Sequence, residues 1–247
     1  TRGGGQGGYK NIVLTPASVQ ETYDSVQLAF YLADKYRNPV IVMTDGLLGQ
    51  MAEPLELRTL TFGDLPRKDW AMRGRAGQPD GVRRVVSAMQ GLMPTPPHPP
   101  YKGFLDLLKV LDEKYRRMEE AEVRYETYLI DDAELIIVAY GYTARVAKEA
   151  LKMARREGLK VGMIRPQAVW PFPYQIIRDK ASQGCRFLVV EDSLGQLVDD
   201  VRTGVQGKTD VHLIGALARH DPLDGGMILP HAVFEEIQRL MKEEASR

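Results

Sequence analysis

The chain has 247 residues, enough for one large domain or two modest ones. Its 33 acidic and 33 basic residues balance, so charge gives no reason to expect nucleic acid or an anionic membrane as the main partner. A single cysteine, Cys185, excludes an internal disulfide and a self-contained iron–sulfur cluster, and it favours a cytoplasmic protein, as does the lack of any apolar run of membrane-spanning length.

The first part of the chain predicts a strand–helix–strand unit. A short apolar run at residues 11–15 indicates a buried strand. Ser18 can cap the helix that follows, with Glu21 three residues later completing a capping box, and the helical spacing continues to about Tyr36. A second strand at residues 40–43 then leads to Asp45 at a strand end. This pattern is the building block of a parallel sheet.

Two strands and one helix cannot bury both faces of a parallel sheet. Residues 62–100 show no strand pattern, and residues 93–100 are proline-rich and extended. We therefore expect the first unit to be the end of a domain whose start is absent from this chain. Apolar side chains such as Val13, Phe30 and Val42 should then be left to meet other protein.

The second part of the chain predicts a complete α/β domain. A strong amphipathic helix at 104–125 precedes a regular alternation of strands and helices. Strands are expected at 135–140, 160–164, 187–191 and 211–214, and helices at 144–157, 174–182, 197–205 and 232–245. We predict an open sheet of four or five strands, with domain boundaries giving residues 1–62, 63–127 and 128–247.

The glycine-rich opening, Thr1-Arg-Gly-Gly-Gly-Gln-Gly-Gly-Tyr9, formally contains the G-x-G-x-x-G spacing of a dinucleotide fingerprint at Gly3, Gly5 and Gly8. That fingerprint must follow a strand and open a helix, whereas these glycines precede a strand, so the nucleotide interpretation fails. Two interpretations remain. The loop brings backbone close to a ligand or another chain, with Arg2 pairing with a carboxylate or phosphate, or it is a flexible surface loop.

Three other segments follow predicted strands, where open α/β sheets place ligands. Asp45 could hold a hydroxyl or amine that Gln50 positions, or Asp45 and Gly46 could simply form a turn. Residues 165–173, with three prolines and two aromatics, indicate a rigid loop suited to packing at an interface. Glu191 and Asp192 could serve as acid and base or hold a metal, but Ser193 as the N-cap of the next helix is favoured. The four histidines show no metal-binding spacing, and Cys185 is expected to be buried filler.

Several runs resemble the α subunit of 2-oxoacid:ferredoxin oxidoreductases. They are TRGGGQGGYKNIVLTPASVQE, KYRNPVIVMTDGLLGQMAEP, IIVAYGYTARVAKEA, VGMIRPQAVWPFP and VVEDSLGQLVDDV, in chain order and across essentially all residues. The first run is most similar to the branched-chain, 2-oxoisovalerate members, although Gly8 stands where many relatives carry aspartate. The resemblance implies the end of a pyrimidine-type thiamine-diphosphate domain, followed by an open α/β domain of the transketolase carboxyl-terminal type.

The same resemblance implies the chemistry. Such enzymes decarboxylate a 2-oxoacid, form acyl-coenzyme A and pass electrons to ferredoxin. Thiamine diphosphate and magnesium would be shared with a β subunit that holds the pyrophosphate side, and iron–sulfur clusters would lie only in partner subunits. The family's activating glutamate would lie ahead of Thr1, which implies no catalytic residue in this fragment and no activity alone. Thr1, Arg2 and Gly3 would bind substrate or coenzyme A.

Three alternatives stay open on the sequence. The substrate could be 2-oxoglutarate. The chain could be a structural or docking subunit without catalytic residues. It could also resemble the β subunit of the E1 component of 2-oxoacid dehydrogenases, which shares the fold expected for the second domain.

Overall fold

The computed structural model describes residues 3, 7–68, 104–218 and 227–245. The predicted α/β class is confirmed, with strands and helices that alternate along most of the chain. The strands are β1 (Ile12–Leu14), β2 (Val40–Val42), β3 (Tyr125–Tyr128), β4 (Leu135–Val138), β5 (Val161–Pro166), β6 (Ala168–Trp170), β7 (Arg186–Val190) and β8 (Val211–Ile214). The helices are α1 (Val19–Tyr36), α2 (Phe104–Ala121), α3 (Gly141–Arg156), α4 (Tyr174–Ser182), α5 (Leu197–Val205) and α6 (Pro230–Ala245).

The first sheet has the strand order β2–β1–β6. β1 runs parallel to β2, with Val13 opposite Ile41, and antiparallel to β6, where Val13 lies opposite Trp170. The sequence did not predict β6, which comes from the segment interpreted as a rigid interface loop. A later strand, from outside residues 62–100, therefore joins this sheet. The absence of the start of this domain stays a prediction. Strand β6 was missed because Pro166 and Pro171 flank it closely, and prolines on both sides of so short a run favour a loop.

Strand β6 also changes which apolar side chains meet solvent. Val13 is fully buried, contrary to expectation, because Trp170 and the neighbouring β6 backbone cover it. Val42 is partly buried. Phe30 matches the expectation, since it is 74% exposed on the outer face of α1, whereas Leu32 on the opposite face lies in the core.

Helix α1 begins as its sequence predicts. The Ser18 hydroxyl accepts a hydrogen bond from the Glu21 N–H at 3.1 Å, and the Glu21 carboxylate reaches back to the Ala17 N–H at 2.7 Å. The helix ends at Arg37, whose positive φ of 46° breaks the helical path before Asn38 and Pro39. Local sequence therefore fixes both ends of this helix.

The second sheet has the order β3–β5–β4–β7–β8, with β3 antiparallel and the other four parallel. β4 is fully buried because both faces of the sheet are covered. On one face α3 and α6 pack against side chains such as Ile137 and Leu188. On the other face α4 and α5 pack against side chains such as Ile136 and Val189.

The end of α2 differs from its predicted position. The helix stops at Ala121, four residues before the expected end at Tyr125, and Tyr125 instead opens the unpredicted edge strand β3. Just beyond the helix, the buried Glu122 accepts hydrogen bonds from Lys35, Tyr36 and Arg124 at 2.8, 2.7 and 2.7 Å. This carboxylate ties α1 to the end of α2. The predicted domain boundaries at residues 62 and 127 stay a prediction.

The helices that the structure describes include none that is both long enough and apolar enough to cross a membrane.

Candidate functional site

The carboxyl ends of β4 and β7 meet the loop that follows β2. β4 and β7 are neighbours in the second sheet. The strand order reverses between them, because β5 pairs with one edge of β4 and β7 pairs with the other edge. Open α/β sheets bind ligands in the crevice at such a switch point. A cleft of about 150 Å³ lies here, lined by Met43, Thr44, Asp45, Tyr140, Gly141, Tyr142, Thr143, Glu191, Asp192 and Ser193.

Asp45 joins the two sheets at this crevice. Its Oδ1 accepts a hydrogen bond from the Leu48 N–H at 2.8 Å, which closes a short 3-10 turn at Leu48–Gln50. Its Oδ2 accepts from the Tyr142 N–H at 2.8 Å, in the first turn of α3. Asp45 thus forms the predicted turn and also supplies the side-chain cap that α3 does not receive from its own N-cap residue, Tyr140.

Gly141 makes this approach possible. Its φ of +62° lies in the left-handed region, and a Cβ built on it would lie 2.7 Å from Asp45 Oδ2. Any side chain at this position would therefore collide with the capping carboxylate as well as strain the backbone. The Tyr-Gly-Tyr sequence at a strand end was a signal for this close approach, and the sequence analysis missed it.

The other two residues predicted for this loop lie differently. Gly46 is exposed, and a Cβ built there would meet nothing within 4 Å. Gln50 is exposed at the end of the 3-10 turn. Both lie on the loop that Asp45 fixes. Their role as cleft residues stays a prediction.

Glu191, not Ser193, caps helix α5. The Glu191 side chain is buried, and its carboxylate accepts hydrogen bonds from the backbone N–H groups of Gln196, Leu197 and Val198 at 2.9, 2.9 and 3.0 Å. The Ser193 hydroxyl donates to the same carboxylate at 2.6 Å. The predicted helix start is confirmed, but Ser193 as its N-cap is wrong, because a carboxylate five residues upstream reaches three N–H groups at once.

Two tyrosines complete the crevice. The Tyr142 hydroxyl donates to Asp192 Oδ2 at 2.5 Å, which links the start of α3 to the end of β7. Burial raises the pKa of Tyr140, and the nearby carboxylates of Glu191, Asp45 and Asp200 raise it further. Tyr140 is therefore held in its neutral form. The crevice is acidic and closely hydrogen-bonded.

A second cleft, of about 320 Å³, lies between α1 and the second sheet. Here the buried Arg165 guanidinium bonds both oxygens of Glu21, at 2.6 and 3.0 Å, and Glu126 at 3.0 Å. Burial by itself would raise the pKa of Glu126, but the hydrogen bonds from Arg165 and Tyr128 outweigh it, and the net direction is down. No local sequence pattern indicated this ion network.

Glu53 and Arg145 extend the same cleft. The Glu53 carboxylate accepts from the Val19 N–H at 2.9 Å and from Arg145 at 2.6 Å. Both hydrogen bonds lower the pKa of Glu53, and the bond from the Val19 N–H has the larger effect. Arg145 belongs to α3, so this pair is a further link between the two sheets.

The amino-terminal loop is described only in part. Thr1 and Arg2 lie outside the described residues, so their predicted contact with substrate or coenzyme A stays a prediction. A Cβ built on Gly3 would lie 3.2 Å from the Tyr9 carbonyl oxygen, which is a tight approach of backbone to backbone. Glycine at this position allows the loop to pack closely upon itself.

The described residues do not by themselves fit the carboxylate and metal sites that thiamine diphosphate needs. Both buried carboxylates in this part of the chain, Glu122 and Glu191, are already hydrogen-bonded to protein groups. The same residues include no cluster of three or more His, Cys, Asp or Glu side chains that could hold a metal ion. Cys185 is buried and donates to the Ala133 carbonyl at 3.1 Å, as expected of a packing residue.

Two family models match consecutive parts of the chain. Residues 6–128 match the family model described as pyruvate flavodoxin/ferredoxin oxidoreductase, thiamine diP-bdg. Residues 133–226 match the model described as pyruvate:ferredoxin oxidoreductase core domain II. These two matches confirm the predicted resemblance and the presence of a thiamine-diphosphate-binding domain family in the first half.

Individual relatives agree with the family models. The chain is 42% identical to the ketoisovalerate oxidoreductase subunit VorB of Methanothermobacter thermautotrophicus, over 97% of this chain and 63% of that protein. It is 32% identical to the 2-oxoglutarate synthase subunit KorA of Methanothermobacter marburgensis, over 97% of this chain and 66% of that protein. The chain thus spans less than two thirds of the length of these relatives.

A solved structure supports the fold. The 2-oxoglutarate:ferredoxin oxidoreductase from Magnetococcus marinus, with 2-oxoglutarate, coenzyme A and succinyl-CoA bound, superposes with a TM-score of 0.63 at 20% identity. The match covers 95% of this chain and 43% of that one.

Proposed function

Because this chain belongs to the 2-oxoacid:ferredoxin oxidoreductase family, we propose that it acts in the oxidative decarboxylation of 2-oxoisovalerate. In that reaction a 2-oxoacid and coenzyme A give acyl-coenzyme A and carbon dioxide, and two electrons pass to ferredoxin. The observation that supports this substrate is the 42% identity to a ketoisovalerate oxidoreductase subunit, against 32% to a 2-oxoglutarate synthase subunit over the same share of the chain. 2-Oxoglutarate is the second candidate substrate.

The proposed cofactor site is shared between two subunits. We propose that thiamine diphosphate and magnesium are held jointly with a β subunit that carries the pyrophosphate side. The donor set supports this division, because the described residues offer neither a free buried carboxylate nor a metal-binding cluster. Iron–sulfur clusters are assigned to partner subunits, since this sequence contains one cysteine and such clusters usually need four thiolates. A cytoplasmic location is part of the same proposal.

The contribution of this chain is binding and orientation. Arg2 is proposed to pair with the carboxylate of the 2-oxoacid or with a phosphate of coenzyme A, because a guanidinium offers two parallel hydrogen bonds to either anion. Thr1 and Gly3 flank it in the same loop. The loop after β2 is proposed as a second wall of the substrate cleft, with Gly46 and Gln50 on its exposed side.

Initial rates on the assembled complex test the proposal. The full-length subunit is co-produced with its partners, and ferredoxin reduction is measured with 2-oxoisovalerate, 2-oxoglutarate and pyruvate at fixed coenzyme A. We expect kcat/KM for 2-oxoisovalerate to exceed the other two by about tenfold or more, as substrate pockets discriminate side chains of different size and polarity. A preference for 2-oxoglutarate would contradict the substrate assignment.

Two controls separate the alternatives that lie outside this family role. A purely docking subunit predicts full activity in a complex whose Arg2 loop has been deleted, provided that the complex still assembles. A 2-oxoacid dehydrogenase-like subunit predicts co-purification with a lipoyl-bearing protein and no ferredoxin reduction. Loss of activity in the first experiment and an iron–sulfur-bearing partner in the second support the proposed function.

A further inference from the structure

We propose that Asp45 is a positioning residue for the reaction, which holds the loop after β2 against helix α3 and thereby sets one wall of the substrate cleft. This inference rests on the proposed function, because it concerns the cleft in which the 2-oxoacid and coenzyme A would bind. Asp45 does not itself touch a reacting atom in the proposal. It acts through Gly46 to Gln50, which follow it.

The Asp45 carboxylate bonds two separate elements. Its two oxygens are divided between two elements, with one bond of 2.8 Å to Leu48 in its own loop and one of 2.8 Å to Tyr142 in α3. Hydrogen bonds to a charged acceptor are stronger than those between neutral groups. Leu48 lies three residues from Asp45 along the chain, and Tyr142 lies 97 residues away. The carboxylate therefore couples the shape of its own loop to the position of helix α3.

The start of helix α3 is shaped to receive this carboxylate. Gly141 leaves room for the carboxylate, since a Cβ there would come within 2.7 Å of Oδ2. Tyr140, the N-cap residue of α3, makes no side-chain cap, so the first turn of the helix depends on Asp45 for this role. The site is thus built to receive an acidic side chain from the first sheet.

The surroundings of Asp45 are held by further contacts. The Tyr142 hydroxyl bonds Asp192 at 2.5 Å, which fixes the start of α3 to the end of β7. Leu48 is buried, whereas Gly46 and Gln50 on the same loop are exposed. The loop is therefore anchored through Leu48 and exposed at Gly46 and Gln50. Asp45 determines where the exposed residues lie.

A double-mutant cycle on the full chain tests the contact without any assay of activity. Asp45→Ala, Gly141→Ala and the double variant are compared by urea unfolding. In wild type, Gly141→Ala suffers both the positive φ and the collision with Asp45, whereas in the Asp45→Ala background only the φ strain remains. We expect the unfolding constant to change at least fivefold less in that background, because residues in direct contact are not additive. Additive effects would overturn the contact.

Kinetics on the assembled complex test the positioning role. We expect Asp45→Ala to raise the KM for 2-oxoisovalerate or coenzyme A about tenfold with kcat little changed, since a loosened wall weakens substrate binding. Asp45→Asn keeps one acceptor oxygen and should recover part of the loss. Glu134→Ala is the matched control, because Glu134 pairs with Lys160 at the surface of the second sheet and away from the crevice.

The outcomes distinguish the two proposals. A wild-type complex that is inactive on all three 2-oxoacids contradicts the proposed function. An active wild type whose KM values are the same as those of Asp45→Ala contradicts the positioning role alone, and so does an equal effect of Glu134→Ala.

Discussion

Arg165 and Glu21 form a two-point ion pair that joins the second sheet to the first turn of helix α1. The Arg165 side chain is 6% exposed, and its two terminal nitrogens lie 3.0 and 2.6 Å from the two carboxylate oxygens. Glu21 also bonds the Ala17 N–H at 2.7 Å. One carboxylate therefore both caps a helix and holds two parts of the chain together.

We expect Arg165→Ala to lower the free energy of unfolding by about 2–3 kcal/mol. Removal of one member of a buried pair leaves like charges on Glu21 and Glu126 without their cation, and the partial exposure of these two acids keeps the loss below that of a fully buried pair. Arg165→Lys should restore only part, because an ammonium cannot reproduce the two-point geometry. Urea unfolding at neutral pH measures both.

Arg116→Ala serves as the control for that experiment. Arg116 pairs with Asp112 across one helical turn, and both side chains are largely exposed. The expected change is below about 0.5 kcal/mol. Equal losses of unfolding free energy for Arg165→Ala and Arg116→Ala would contradict a larger contribution from the pair of Arg165 with Glu21.

The capping of α5 by Glu191 gives a second prediction. We expect Glu191→Ala to lower the free energy of unfolding by about 3 kcal/mol, because three N–H groups, those of Leu197 and Val198 buried, lose their acceptor. Ser193→Ala should cost about 1 kcal/mol, since it removes one hydroxyl donor. Thermal and urea unfolding compare the two. A larger loss at Ser193 would favour the cap predicted from sequence over the one in the structure.

Glu122 predicts a specific dependence of stability on pH. Burial would raise the pKa of this carboxyl, but hydrogen bonds from Lys35, Tyr36 and Arg124 together lower it below the ordinary value of 4.5. A lowered folded-state pKa means that the unfolded state binds the proton more readily. The stabilising contribution is therefore complete above pH 4.5 and is lost as the pH falls through the lower folded-state pKa.

The comparison of wild type with Glu122→Gln tests this sign. The difference in free energy of unfolding between them should be constant from pH 7 to about pH 5 and should shrink at lower pH. Glu113→Gln is the control, because Glu113 is an exposed carboxylate on helix α2. A difference at Glu122 that grew on acidification would contradict the assigned direction.

Arg2 gives a prediction about binding. In the assembled complex, Arg2→Ala should raise the KM for 2-oxoacid or coenzyme A, with a loss of about 2–5 kcal/mol if the guanidinium forms a buried charged pair with either ligand. Arg2→Lys should recover part of the affinity, because a point charge lacks the planar fork. Steady-state kinetics with each substrate varied in turn provide the measurement. Unchanged constants for both variants would identify the loop as packing.

Local sequence determined much of the secondary structure. The bounds of α4, α5 and β8 were predicted to the residue, because each has clear periodicity and glycine or polar residues at its ends. Gly158 and Gly184 follow the ends of α3 and α4, and both have a positive φ, of 79° and 87°. Recognition of the family also followed from sequence, since the matching runs lie in chain order over nearly all residues.

Only part of the site could be predicted from the sequence. Asp45 was placed correctly at a strand end, but its partner Tyr142 lies 97 residues away. The pair of Arg165 with Glu21 spans 144 residues. Neither partner leaves a local pattern, because spacing rules describe neighbours along the chain and these contacts exist only after the sheets pack.

Tertiary structure alone decided the short strands and the caps. β6 lies between two prolines and β3 begins at the predicted end of a helix, and each becomes a strand because it pairs with a neighbouring strand. Glu191 replaces Ser193 as the cap of α5 because the end of β7 aims its carboxylate at three N–H groups. Sequence specifies propensity at each residue, whereas the choice among competing hydrogen-bond partners depends on which groups packing brings within 3 Å.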